Sequence, residues 1–481
     1  MRILIKILVG FSLLYGEHFW SAYHGNNRRD GLSSLPGPRS VKLLKTIEFK
    51  PGYNSCGVLS DENILYIAAM DHYLYAIKDG EIIWREQIFP DDDGFGFESA
   101  LDPSGMLYLQ ELYGGYWCKI LAYNPKTKTR IWETDRLEFG SLLVGDDNTI
   151  YFCHADKETY PYLIAIDRNT GKYDYLTRFD DKPTNIYSIC YGKDRGIYYS
   201  DDVNWEYYDK KANIGVVYKN GDERTITGDF GDPAISKFKY GAIEGAIYSV
   251  NSDKSGYSLF CFVPGLYIVW VTPLYDDGGI YGFPAICPDG SVVVFSTSGY
   301  LYKISPAGKH IWKSENIYQG RELFFGYMTI DSEGKIYLPV WDCDKESKEG
   351  LYCLNSDGKI LFFNNEFRYG YNVIICPDRK LYLIGVGAQT IYYIGEDTGF
   401  EENKTSKMLP ENTSLSAYPN PFRDKLVIES KTEGIVYNIT GQKLESFSKG
   451  KHSIDTSKWR EGVYIVKAGK ETKRVVKVRQ I

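Results

Sequence analysis

Along most of the chain, apolar residues gather in short runs that alternate with polar positions and are broken by Asp, Asn and Gly. That is the chemistry of strands and hairpins; few stretches carry the 3.6-residue period of a helix. One pattern recurs eight times: a turn with Asp, Gly or Asn, then an apolar run centred on an aromatic or β-branched residue. In order the copies read SDENILYIAA, DPSGMLYLQE, GDDNTIYFCH, GKDRGIYYSD, AIEGAIYSVN, CPDGSVVVFS, DSEGKIYLPV and CPDRKLYLIG. The equivalent positions are Tyr66, Tyr108, Tyr151, Tyr198, Tyr248, Val293, Tyr337 and Tyr382, spaced 42 to 50 residues apart. Each copy has further strand signals. A leading strand such as FPAIC or GYMTI precedes the turn. A strand such as HYLYAIKDG or GYLYKISPAG follows and ends on hairpin chemistry, where Gly supplies positive φ. A last strand carries a bulky aromatic: Trp84, Trp132, Trp270 and Trp312, with YDYLT and ILFFN in the third and seventh copies. Four antiparallel strands per repeat make a propeller blade. The tryptophans are expected to wedge between neighbouring blades. The eighth copy lacks its last strand, and an open edge is a liability. Residues 41–49, VKLLKTIEF, alternate like a strand and have no partner in their own repeat, so they are expected to close blade eight. The fold expected is all-β: an eight-bladed β-propeller of four-stranded blades over residues 17–400.

After a polar linker at 401–413 the character changes. Residues 414–481 read as seven short strands, near 414–418, 426–430, 434–439, 442–447, 451–454, 462–467 and 472–478, which is a small Ig-like β-sandwich. Pro419 and Pro421 around Asn420 exclude helix there. Charge separates the two parts as well: from Tyr418 onward the chain carries roughly +7, and what precedes it roughly −14. The net charge of −7 leaves no electrostatic footprint for nucleic acid. At the other end Arg2 precedes an apolar stretch over 3–14, broken by Lys6. It is too short to span a bilayer and reads as a signal peptide over 1–16. No other apolar run is long enough, so no transmembrane segment is expected in the mature chain.

Chemistry-bearing motifs are sparse. The sequence has no G-x-S-x-G, H-E-x-x-H, P-loop or G-x-G-x-x-G. Six histidines, His18, His24, His72, His154, His310 and His452, are scattered without ligand spacing and read as surface or strand residues. Nine cysteines include no adjacent pair and no C-x-x-C; most read as small buried hydrophobes, and Cys343 with Cys353 is the one pair placed to test for a disulfide. Asp91 to Asp93 resemble part of a calcium loop but lack a distal Glu at the required spacing; they read as a solvated loop, as do Asp276 and Asp277. The aromatic loops ELYGGYW (Tyr113, Tyr116, Trp117) and DDVNWEYY (Trp205, Tyr207, Tyr208) both fall between second and third strands. They would share one face of the disc and could meet a glycan or peptide.

The repeats resemble the PQQ-like repeat family of eight-bladed propellers. WSAYHGNNRRDGLS looks like that family's opening motif through Trp20, Tyr23, Gly25, Asn26, Arg29 and Gly31. The resemblance covers about residues 20–400 and speaks to architecture more than activity. Quinoprotein dehydrogenases of this type carry adjacent cysteines beneath the cofactor. This chain has none, which argues against quinone, and no cofactor is predicted. The last segment resembles the type A C-terminal sorting domain of the type IX secretion system. YPNPF (Tyr418, Pro419, Asn420, Pro421, Phe422), VYNITGQ with Gly441, HSIDTS, WREGVYIVK with Gly462 and Tyr464, and the basic RVVKV occur in the family's order. That resemblance implies signal-peptide export, handling by the type IX machinery and a place outside the cell or on its surface. Two functional classes follow: a propeller that binds protein, peptide or glycan, which the missing motifs favour, or an extracellular oxidoreductase or polysaccharide-acting enzyme with its site in the central channel.

Overall fold

In the computed structural model the described residues are 18–22, 24–49, 56–69, 71–89, 94–113, 117–138, 140–147, 149–154, 162–178, 184–203, 213–228, 230–240, 243–253, 256–274, 284–296, 298–317, 324–325, 327–341, 349–367, 370–385, 390–396, 415–418, 424–438, 442–460, 462–469 and 471–477. They fall into two compact units, Met1–Phe400 and Glu401–Ile481.

The recurring Asp–Gly–Tyr pattern has a local cause. In blade two, Asp102 Oδ1 accepts the backbone N–H groups of Ser104 (2.8 Å) and Met106 (3.0 Å), closing the turn between the first two strands. The other oxygen accepts the hydroxyl of Tyr108 at 3.0 Å. Asp147 holds Thr149 N–H (3.1 Å) and the Tyr151 hydroxyl (2.9 Å) in the same way. Asp194 does so for Gly196 N–H (3.2 Å) and the Tyr198 hydroxyl (2.7 Å). One carboxylate thus shapes the hairpin and fixes the aromatic of the strand that follows.

Strand register explains the last-strand tryptophans. Tyr108 pairs with Ala122, and Ala122 pairs with Trp132. The small alanine between them lets the two rings meet over it, with centroids 5.9 Å apart. Tyr66, Ala76 and Trp84 line up identically in blade one. Each indole then reaches into the next blade. Trp132 Nε1 donates to the Arg168 carbonyl (2.7 Å), Trp270 Nε1 to that of Pro306 (3.0 Å) and Trp312 Nε1 to that of Ser356 (2.9 Å). These carbonyls belong to the turn between the third and fourth strands of the following blade, so the tryptophans are seam residues, as expected.

Eight such sheets form the ring. Blades one to four are Val58–Leu59 to Glu81–Gln87, Gly94–Leu101 to Thr129–Glu133, Gly140–Val144 to Tyr173–Arg178 and Thr184–Tyr191 to Glu223–Thr227. Blades five to seven are Ala234–Ile235 to Tyr267–Pro273, Ala285–Ile286 to His310–Lys313 and Thr329–Ile330 to Ile360–Asn364. Blade eight takes Gly370–Cys376, Lys380–Gly385 and Thr390–Gly395 from the end of the ring and Lys42–Glu48 from its start. The last two pair antiparallel, Lys42 opposite Gly395 through Glu48 opposite Thr390. Behind that seam Ile47 and Phe49 share a core with Leu59 and Leu65 of blade one and Tyr382 and Ile384 of blade eight.

The described residues of the second unit form seven strands in two sheets. Leu415–Tyr418, Lys425–Ser430 and Gly450–Asp455 form one; Lys443–Phe447, Gly434–Asn438, Gly462–Ala468 and Glu471–Lys477 form the other. Leu426, Ile428, Val436, Phe447, Tyr464 and Val466 make its core. No helix among the described residues is long and apolar enough to cross a membrane.

Candidate functional site

The opening segment WSAYHGNNRRDGL is a plug at the centre of the ring. Its carbonyls receive N–H groups from the innermost strand, or its end, in one blade after another. Leu59 of blade one donates to Trp20 (2.8 Å), Leu101 of blade two to Ser21 (2.8 Å) and Tyr191 of blade four to Asn27 (2.7 Å). Ile235 of blade five donates to Arg28 (3.0 Å), Ile286 of blade six to Asp30 (2.8 Å) and Ile330 of blade seven to Gly31 (2.8 Å). Trp20, His24, Arg29 and Asp30 are fully buried.

Arg29 extends the plug to blade three. Its Nη2 donates to Glu98 Oε2 (2.8 Å), Ser141 Oγ (2.9 Å) and the Leu142 carbonyl (3.3 Å), and its Nε to the Ile189 carbonyl (3.1 Å). The same Glu98 oxygen also accepts from Ser141 Oγ (2.9 Å) and Leu142 N–H (2.8 Å). This is a buried ion pair whose charges are hydrogen-bonded into three blades, the arrangement that makes such a pair tolerable. Asp30 folds the loop: its Oδ1 accepts from Asn26 Nδ2 (2.8 Å) and Leu32 N–H (3.0 Å). Gly31 has φ +62°, and a methyl group there would lie 2.8 Å from His24 Nε2 and 2.9 Å from the Met328 carbonyl, so only glycine fits.

His24 departs from the sequence expectation. It is neither on the surface nor in a strand: its ring is buried, Nδ1 lying 2.6 Å from the Arg29 carbonyl oxygen and Nε2 3.1 Å from that of Met328. Burial lowers its pKa to about 4, against the opposing pull of both carbonyls. Nearby, the Tyr371 hydroxyl donates to the Tyr327 hydroxyl at 3.0 Å, and Cys56 packs on both rings. Burial pushes the Cys56 thiol well above its usual value, which keeps it protonated. Arg29, Asp30 and the plug carbonyls named above are directed at one another and at the blades, whereas the Trp20 indole N–H is buried with no partner among the described residues. Among the described residues no cluster of three His, Cys, Asp or Glu side chains is placed to hold a metal.

Of the loop aromatics, Trp117 opens the third strand of blade two and is 37% exposed, with the Arg136 guanidinium 4.4 Å from its ring centroid. Tyr113 closes the preceding strand and pairs with Trp117 through the backbone. Tyr116, Trp205, Tyr207 and Tyr208 lie outside the described residues, as do Asp91 to Asp93, Asp276, Asp277 and Cys343. Cys353 is a buried free thiol in the third strand of blade seven, which removes the Cys343–Cys353 bridge.

In the second unit Tyr418 ends the opening strand opposite Val427, while Pro419, Asn420, Pro421, Phe422 and Gly441 lie outside the described residues. Gly462 begins the sixth strand, opposite Lys477 of the last. The Tyr464 hydroxyl donates to the Arg460 carbonyl and its ring lies 4.9 Å from that of Trp459. Lys477 is buried, its ammonium donating to the Thr456 carbonyl. Trp459, Arg460 and Tyr464 thus hold one corner together, and the last strand is tied to the turn at Thr456.

Residues 416–481 match the secretion system C-terminal sorting domain family. No curated protein matches the chain. Among solved structures, BamB from Moraxella catarrhalis is 13% identical with a TM-score of 0.51, over 74% of this chain and 99% of that one. The Dos1 propeller is 11% identical with a TM-score of 0.52, over 75% of this chain and 96% of that one. PorZ, a surface component of the type-IX secretion system of Porphyromonas gingivalis, is 13% identical with a TM-score of 0.38, over 88% of this chain and 74% of that one. The first two share the propeller fold. The sorting tail marks the chain for export to the cell surface or the extracellular space.

Proposed function

We propose that this chain is a secreted or cell-surface propeller that acts as a binding or scaffold module for protein, peptide or glycan. In this reading residues 1–16 are a signal peptide for the inner membrane, and the C-terminal unit addresses the protein to the type IX machinery at the outer membrane. The observation that carries it is the sorting-domain match over 416–481. The plug supports the binding half: at the mouth it occupies, polar groups are spent on holding blades together. Ligand contacts then belong on the faces or seams of the disc, and Tyr113, Tyr116, Trp117, Trp205, Tyr207 and Tyr208 are the aromatics proposed for one face.

The address is testable in isolation. A reporter carrying an N-terminal signal peptide and residues 401–481 at its C-terminus should leave the cells of a type IX-competent host. A reporter that stays in the periplasm would refute the reading.

A further inference from the structure

The seam between blades three and four has no aromatic at the wedge position, as is also true of blade four, where Arg224 stands there, and of blade eight, where Lys45 does; what sets it apart is the bare glycine opposite. By register, the seam tryptophan stands two strands from the repeat tyrosine: Tyr108, Ala122, Trp132 in blade two and Tyr248, Cys261, Trp270 in blade five. In blade three the same count runs Tyr151, Ala165, Asp174. An aspartate occupies the position of the wedge.

The receiving turn is nevertheless intact. In blades six and seven it has a fixed form: Ser305 N–H to Lys309 O with Gly308 N–H to Ser305 O, and Asn355 N–H to Lys359 O with Gly358 N–H to Asn355 O. Blade four repeats it with Tyr218 N–H to Asp222 O and Gly221 N–H to Tyr218 O. Lys219 therefore corresponds to Pro306 and Ser356, whose carbonyls take the indole N–H, and Gly221 corresponds to Gly308 and Gly358, on which the indoles rest. A methyl group on Gly308 would lie 2.7 Å from Trp270, and one on Gly358 2.9 Å from Trp312; on Gly221 it would meet nothing within 4 Å. The floor is bare too. Ala76 and Ala122 are fully buried beneath their tryptophans, whereas Ala165 is only half-buried. A groove of about 610 Å³ lies there, lined by Ala165, Asp174, Asp167, Lys172 and Lys219.

We propose that this seam is a vacant indole seat that receives a tryptophan side chain from a partner polypeptide. The ring would lie on Ala165 and Gly221 and donate its N–H to the Lys219 carbonyl, as Trp270 and Trp312 do at their seams. The groove is larger than an indole, and its rim of mixed charge suits the amide groups flanking a tryptophan in a peptide. The site does not depend on the export reading.

The test uses the full chain and the probe N-acetyl-5-fluorotryptophanamide, observed by fluorine NMR. The probe signal should broaden with the wild type. It should stay sharp with Asp174→Trp, which fills the seat from within and should also raise the melting midpoint. Ala165→Leu, which covers the floor, is the second variant and should likewise leave the probe sharp. Competition should show the amide binding at least about tenfold more tightly than 5-fluoroindole, the gain expected from one or two added hydrogen bonds. A probe unaffected by the wild type, or broadened equally by both variants, would overturn the seat. Equal affinity for the two probes would overturn the polypeptide partner.

Discussion

Arg29→Ala should lower the stability of the propeller by about 3–5 kcal/mol, the cost of leaving a buried charge without its partner. Glu98 is only 5% exposed and would keep a carboxylate facing the gap. The substitution also removes donors to Ser141, Leu142 and Ile189, so blades three and four lose the ties that this side chain makes to them. The double variant Arg29→Met, Glu98→Gln should recover most of the loss, because an apolar side chain and a neutral amide replace both charges. Denaturant unfolding read by tryptophan fluorescence measures both. A single variant within about 1 kcal/mol of wild type would mean that water reaches Glu98, and that the pair does not hold the plug.

Deleting residues 41–50 should do more damage still. It strips blade eight of its outer strand and uncovers Tyr393 and Ile391, both buried in the ring. It also removes Ile47 and Phe49 from the core shared by blades one and eight. Two buried side chains of this size are worth about 3–6 kcal/mol before the lost strand pairing is counted. The ring would be left open at its closing seam. The melting midpoint of the propeller should fall by more than in any single substitution. Reinserting the strand after Glu396 should restore most of it. An unchanged midpoint after the deletion would show that closure does not depend on this strand.

The parts of the fold legible in the sequence were those with a local cause. Asp102, Asp147 and Asp194 each shape a turn and fix a tyrosine within six residues, so the motif survives repetition and can be read off the chain. Trp132, Trp270 and Trp312 stand at a register set by short hairpins. The alternation of residues 42–48 follows from having one face on a blade and one outside. The plug could not be read this way. Its bonds run from backbone carbonyls between Trp20 and Gly31 to strands of six blades, and backbone groups leave no trace in residue type. Arg29 stood out through resemblance, but Glu98, 69 residues away, looked like any other acidic residue. His24 looked like a surface histidine because nothing near it in sequence reports that Met328 lies against it. In the third copy the aromatics of YDYLT look like the wedge, and only the register shows Asp174 in that place with a bare glycine opposite.

The most direct measurement is the location of the protein itself. In a type IX-competent host, the full chain and a chain ending at Phe400 are compared by antibody labelling of intact cells and by assay of the medium. The propeller unit contains the whole ring, so both chains should fold. The full chain should be found on the surface or in the medium and the truncated chain in the periplasm. Equal amounts of both outside the cell would contradict the claim that residues 416–481 carry the address.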